Sequence, residues 1–218
     1  AVLGEIGGGW AVIKTALAHE RVGIARYARC ERLLSALGAE LGPHWDQLPE
    51  SLRVAWARAC ELCIAVLDAL DHAHDKGVVH RDIKPANVML SNSGVVKVMD
   101  FGIARMLGRS RQTQFGHAVG TPMYMAPEQL RGQEVDGRTD LYAVGAVLFE
   151  LVTGRMAFEA DSDYSLMMKK LNEAPAAPSS YVRDIPSRID DIVMKAMETQ
   201  PDQRFPNAVA FAQELEDT

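Results

Sequence analysis

The segment Asp140-Leu141-Tyr142-Ala143-Val144-Gly145-Ala146-Val147-Leu148-Phe149-Glu150-Leu151 constrains the fold more than any other, because it is apolar almost all round. A surface helix carries a polar stripe toward water, so a helix without one has to be enclosed by other elements on every side. No apolar run in the chain approaches the twenty or so residues of a membrane span. The 218 residues, 48% of them apolar, therefore have to supply a core around this one helix. Asp140, near its start, is placed to accept backbone N–H bonds.

Further helices are read from 3.6-residue spacing at Ser165 to Leu171, Ser187 to Glu198 and Asn207 to Leu215, separated by proline-bearing loops such as 173–178. The run Val95-Val96-Lys97-Val98-Met99 reads as a strand. Upstream, residues 66–76 form a helix stopped by Gly77, with Ser51 as an N-cap candidate for the helical sequence before it. The fold class expected is mainly α, with short β-hairpins.

Three short motifs carry the chemistry, in a fixed order: His80-Arg81-Asp82-Ile83-Lys84-Pro85-Ala86-Asn87, then Asp100-Phe101-Gly102, then Ala126-Pro127-Glu128. Moving a phosphoryl group asks for metal ions against the phosphates, a carboxylate near the incoming hydroxyl and a scaffold that fixes both. Together the motifs resemble those of protein kinases, and their wording, with Pro127-Glu128-Gln129, is most similar to bacterial serine/threonine kinases of the eukaryotic type. The resemblance runs from about Ile64 to Thr218 and implies a kinase carboxy-terminal lobe.

It implies ATP and Mg2+ as cofactors and a protein carrying a Ser or Thr acceptor as substrate. Asp82 would be the catalytic base, with Asn87 and Asp100 as metal and nucleotide ligands. Lys84 would lie on the transferred phosphate, and the Thr121 hydroxyl would touch Asp82 and Lys84. Gly102 gives the backbone freedom to turn after Asp100. Residues 100–128 resemble an activation segment whose middle, 109–117, is polar and aperiodic. Arg81 would pair with a phosphate there, Ser110 and Thr113 being the candidate phosphosites. His80, Phe101, Gly102, Glu128, Asp140 and Arg204 are structural by the same resemblance: Asp140 braces the catalytic loop, and Glu128 and Arg204 form a buried ion pair.

The first sixty residues read differently. Gly7-Gly8-Gly9 and Ala11-Val12-Ile13-Lys14 imitate a phosphate loop and its lysine strand, but only four residues separate Gly9 from Lys14, too few for the hairpin between them. Residues 10–34 have apolar residues at helical intervals instead. Leu3-Gly4-Glu5-Ile6-Gly7-Gly8-Gly9-Trp10, Leu17-Ala18-His19-Glu20-Arg21 and residues 48–58 resemble the acyl-CoA dehydrogenase family where its β domain joins its helical domain. Glu20 lies where some of those enzymes keep their base, and reads here as a first-turn helix carboxylate.

The chain is thus divided into 1–63, a helical segment resembling acyl-CoA dehydrogenase, and 64–218, a kinase carboxy-terminal lobe. One continuous helix is expected across the join near 60–64. The helical segment stands in place of the β-rich amino lobe, which weakens catalysis by the chain. Two other readings are an inactive kinase-lobe binding module and a fragment of a flavin-dependent dehydrogenase.

A net charge of -6 argues against a nucleic-acid surface. Three cysteines, Cys30, Cys60 and Cys63, are an odd number with no second Cys-x-x-Cys pair and no clustered His beside Cys60 and Cys63, which argues against zinc and fits a reducing, cytoplasmic setting. No secretory leader opens the chain, and the missing initiator Met fits a fragment.

Overall fold

A computed structural model describes residues 47–91, 94–101 and 122–217. Calls on Lys14, Glu20, Cys30, Gly102, Ser110, Thr113 and Thr121 lie outside the described residues. The chain order is α1 (Glu50–His74), β1 (Val88–Leu90), β2 (Val96–Val98), α2 (Pro127–Leu130), α3 (Gly137–Thr153), α4 (Asp163–Asn172), α5 (Ser187–Ala196) and α6 (Ala208–Glu216), with single 3-10 turns between. The described part is mainly α, as expected.

The all-round apolar segment lies within α3, where fourteen of seventeen residues are buried, among them Glu150 and Asp140. α1 packs along α3 on one side and α6 on another, and α5 covers α3 elsewhere. At Gly145 the helices approach so closely that an added Cβ would lie 2.7 Å from that of Ala196 on α5. One apolar core runs through these elements, from Trp56 and Leu67 of α1 through Leu148 and Phe149 of α3 to Ile189 and Phe211.

α1 is continuous across residues 60–64, and Trp56, Cys60, Cys63, Ile64 and Leu67 enter the same core from both sides of that point. Burial raises the Cys63 thiol well above its usual range, with Cys60 adding to the effect. α1 starts one residue before Ser51. Pro49 precedes it, and the Pro49 carbonyl accepts from the amides of Leu52 and Arg53, so Ser51 sits in the first turn without capping.

Three other helix starts follow side-chain capping. Asp136 accepts from the Arg138 amide, Ser162 from Ser165 and Asn207 from Ala210. These caps start the helices at 137–153, 163–172 and 208–216, while 187–196 follows Pro186 without a side-chain cap; the last three lie within a few residues of the sequence expectation. β1 and β2 form a two-stranded antiparallel ribbon, with Met89 opposite Lys97. No helix among the described residues is long and apolar enough to cross a membrane.

Candidate active site

The end of α1 sets the first anchor. The Val78 amide bonds the Ala73 carbonyl and Gly77 takes φ +71°, so the chain reverses after His74 and leads residues 80–87 past the start of α3. There Asp140, 1% exposed, accepts from the amides of His80 (2.8 Å) and Arg81 (2.7 Å) and from His74 Nε2 (2.8 Å). Its carboxylate turns toward this loop, and Asp136 caps the helix in its place.

Arg81 has φ +69°, a left-handed conformation that strains a residue with a Cβ by roughly 1–2 kcal/mol. Both sides of that residue are held. Asp140 takes its N–H, and Gln129 Nε2 donates to its carbonyl at 2.7 Å. The Arg81 Nε is buried and has no acceptor among the described residues.

His80 ties this loop to the segment that follows β2. Its buried ring accepts the Asp82 amide on Nδ1 (3.2 Å) and donates from Nε2 to the Met99 carbonyl (2.8 Å), an assignment that puts the proton on Nε2. The ring also lies 4.7 Å from that of Phe101. Met99 N–H then bonds the Asn87 carbonyl at 2.8 Å, so Asp100 emerges directly beside Asn87 with φ +57°.

Asp82 is the open member of the group. Its side chain is 40% exposed and accepts on Oδ2 from Lys84 Nζ (2.8 Å) and Asn87 Nδ2 (3.1 Å). Asn87 Nδ2 also donates to the Asp82 carbonyl at 2.7 Å, which leaves its Oδ1 as the acceptor end pointed away from Asp82. Asp100 is exposed, and no described residue donates to its carboxylate. A carboxylate and an amide oxygen, both hard donors, are the ligand types that suit magnesium.

The second anchor is buried. Arg204 meets Glu128 through two parallel bonds of 2.8 Å, with side-chain exposures of 0% and 5%. Its remaining donors reach the carbonyls of Glu198, Arg138 and Thr199, so all five guanidinium N–H groups are used. Thr139 donates to Glu128 as well. Burial pushes the Glu128 carboxyl up, but Arg204 and the Thr139 hydroxyl outweigh it and hold the group below its usual range.

Between the anchors runs 122–129, carrying contacts that the sequence did not announce. Tyr124 donates its hydroxyl to Glu150 of α3, and burial followed by that bond raises the phenol. Gln129 accepts from the Ala126 amide at 3.0 Å while its other end holds Arg81. Lys170 of α4 donates to the carbonyls of Pro122 and Met123. His74, Gln129 and Lys170 were missed as site residues. The one available signal was the spacing of Leu166 and Lys170, four apart on α4, which puts the lysine on the apolar stripe.

Comparison with known proteins decides the family. A model of the protein kinase domain matches residues 38–215. The chain belongs to the protein kinase family. It is similar to bacterial serine/threonine kinases: PksC of Streptomyces coelicolor is 49% identical over 159 residues, 72% of this chain and 29% of that protein. PknB of Mycobacterium tuberculosis is 40% identical over 160 residues, 72% of this chain and 26% of that one. Among solved structures, a double mutant of the Mycobacterium tuberculosis PknI kinase domain superposes with a TM-score of 0.55 at 28% identity, over 73% of this chain and 54% of that chain.

This kinase chain spans about a quarter of the length of the curated relatives it matches. The kinase match begins at residue 38, so the helical stretch ahead of residue 64 lies partly within it.

Proposed function

We propose that the chain is the catalytic-loop part of a serine/threonine protein kinase that moves the γ-phosphoryl group of ATP to a Ser or Thr hydroxyl of a protein. One observation carries the reading: a half-exposed Asp82 carboxylate sits in a loop locked by Asp140 and His80, with Asn87 Nδ2 bonded to it and the Met99 to Asn87 bond tying that loop to the segment that leads into Asp100.

In the step proposed, the acceptor hydroxyl oxygen bonds to the γ-phosphorus, the bond to the β-phosphate oxygen breaks, and ADP leaves. Asp82 orients the hydroxyl and takes its proton. Lys84, now on Asp82, offers its charge to the phosphoryl oxygens, and Asn87 and Asp100 would hold the metal. Bound magnesium would supply charge neutralisation at the phosphates. Arg81, its Nε buried and unpartnered among the described residues, would receive a phosphate on Ser110 or Thr113. Thr121 completes the acceptor side.

The chain lacks a glycine loop and strand lysine in usable spacing, so the rate should be far below that of a complete kinase. The test is phosphate transfer from labelled ATP to a generic basic protein. A slow, Mg-dependent rate that Asp82→Ala abolishes is expected. A rate equal to a complete kinase would sink the claim of impairment, and an unchanged rate in Asp82→Ala would sink the assignment of the base.

A second reading, an inactive binding module, is favoured by the apolar side chains open on the ribbon and after it, Met89, Val95 and Met99. Thermal shifts separate the two, since a module without nucleotide chemistry shows none with Mg-ATP. A shift with FAD instead would favour the dehydrogenase fragment.

A further inference from the structure

Lys170 is a lysine where the packing calls for an apolar residue. It is 1% exposed, lies four residues from the other buried position of α4, Leu166, and has the rings of Tyr142 and Phe158 at 5.2 and 5.8 Å from its Nζ. Its recorded partners are two main-chain oxygens, Pro122 at 3.1 Å and Met123 at 2.6 Å. No carboxylate is paired with it among the described residues. A leucine or methionine would fill the same space without the penalty of burying an ammonium.

The neighbours sharpen the point. Both carbonyls turn inward to the ammonium, while Met123 keeps its side chain 39% exposed on the outer face. The same short stretch is fastened by Tyr124 to α3 and, through Ala126 and Gln129, to the Arg81 carbonyl next to Asp82. Burial pulls the Lys170 ammonium down to about 7.

We propose that Lys170 is a positioning residue for the acceptor side of the kinase site: reaching from α4, it fixes the main chain at Pro122 and Met123, and so the place of the incoming hydroxyl relative to Asp82. This rests on the kinase reading above for its functional meaning, but the fixing itself is independent of turnover. α4 thereby becomes part of the acceptor platform. Docking a protein against α4 would be felt at residues 122–126 through one side chain.

Hydrogen–deuterium exchange of the full chain and of Lys170→Met and Lys170→Arg tests it. Methionine should raise exchange in peptides covering 122–126 by about tenfold and leave 208–216 in α6 as in the wild type, whereas arginine, which keeps the donors, should retain most of the protection. Unchanged exchange at 122–126 in Lys170→Met, or an equal rise in α6, overturns the proposal. Should Lys170→Met fail to fold, Lys170→Arg decides: slow exchange at 122–126 supports the clamp and fast exchange there refutes it. In phosphate transfer, Lys170→Met should raise KM for the acceptor protein several-fold and leave KM for ATP unchanged; equal rises in both count against it. Absence of any transfer by the wild type removes the kinase reading, while the exchange result still settles the clamp.

Discussion

Two carboxylates of this molecule, Glu128 and Asp82, each face a basic side chain at 2.8 Å, and the resemblance ends there. Glu128 and Arg204 are sealed from water with every guanidinium donor spent, whereas Asp82 and Lys84 sit at 40% and 22% exposure with room around them. The sealed pair can only hold, because any rearrangement strands a charge in the interior. The open pair can exchange partners, since water replaces whatever is lost. The two regions differ in kind: one fixes 127–139 against Arg204, and the other stays open to water, as the proposed transfer requires.

Breaking the sealed pair should give the largest effect. Arg204→Ala leaves Glu128 buried beside Thr139 alone and strips three carbonyls of their donor, so a loss of about 3–5 kcal/mol is expected in urea unfolding. The pH dependence has a fixed sign. Glu128 has a lowered value in the fold, so its contribution is complete above the ordinary carboxylate range and disappears as pH falls through the folded value. Glu128→Gln should therefore unfold with a shallower decline between pH 5 and roughly 2. Parallel declines in the two proteins would show that the pair is not what acid attacks.

How much of this was legible follows from the same contrast. The motif residues Asp82, Asn87 and Asp100 declare themselves through spacing along one loop and the strand after it, and the helix at 140–151 through its lack of a polar face. His74, 66 residues from Asp140, carries no such mark, and Lys170, 48 from Pro122, carries only its place four residues from Leu166. A histidine in a last helical turn and a lysine on a helix both read as ordinary surface residues, and only tertiary packing turns them inward. Ser51 misled for a local reason: Pro49 presets the backbone ahead of the helix, and its carbonyl takes up the first amides.

A middle effect tests whether the brace on the loop behaves like the sealed pair. A Cβ on Gly137 would lie 2.7 Å from His74 Nδ1 and 2.9 Å from its Cε1, while the far side of that ring is bonded to Asp140. Ala gains up to about 1 kcal/mol of helix propensity over Gly, against roughly 1–3 kcal/mol for the clash. Gly137→Ala should therefore lose about 1–2 kcal/mol. Coupling decides the cause: in the double variant with His74→Ala the penalty of the added methyl should vanish. A Gly137→Ala loss that persists without the imidazole would place the strain elsewhere.

The smallest effect on stability belongs to the open region. Asp100 is exposed and receives no bond from a described residue, so Asp100→Asn removes a charge that the fold does not use. Its φ of +57° makes the choice of replacement matter, since Asn tolerates the left-handed region nearly as well as Asp, whereas Ala does not. Asn should thus change unfolding free energy by less than about 0.5 kcal/mol, and Ala by about 1 kcal/mol more. Phosphate transfer should nonetheless be lost in both, because the proposed metal ligand is gone. A stability loss in Asp100→Asn comparable to that of Arg204→Ala would erase the distinction, for it would mean that the loop beside Asp82 is held by its charges rather than by His80, Asn87 and Asp140 behind them.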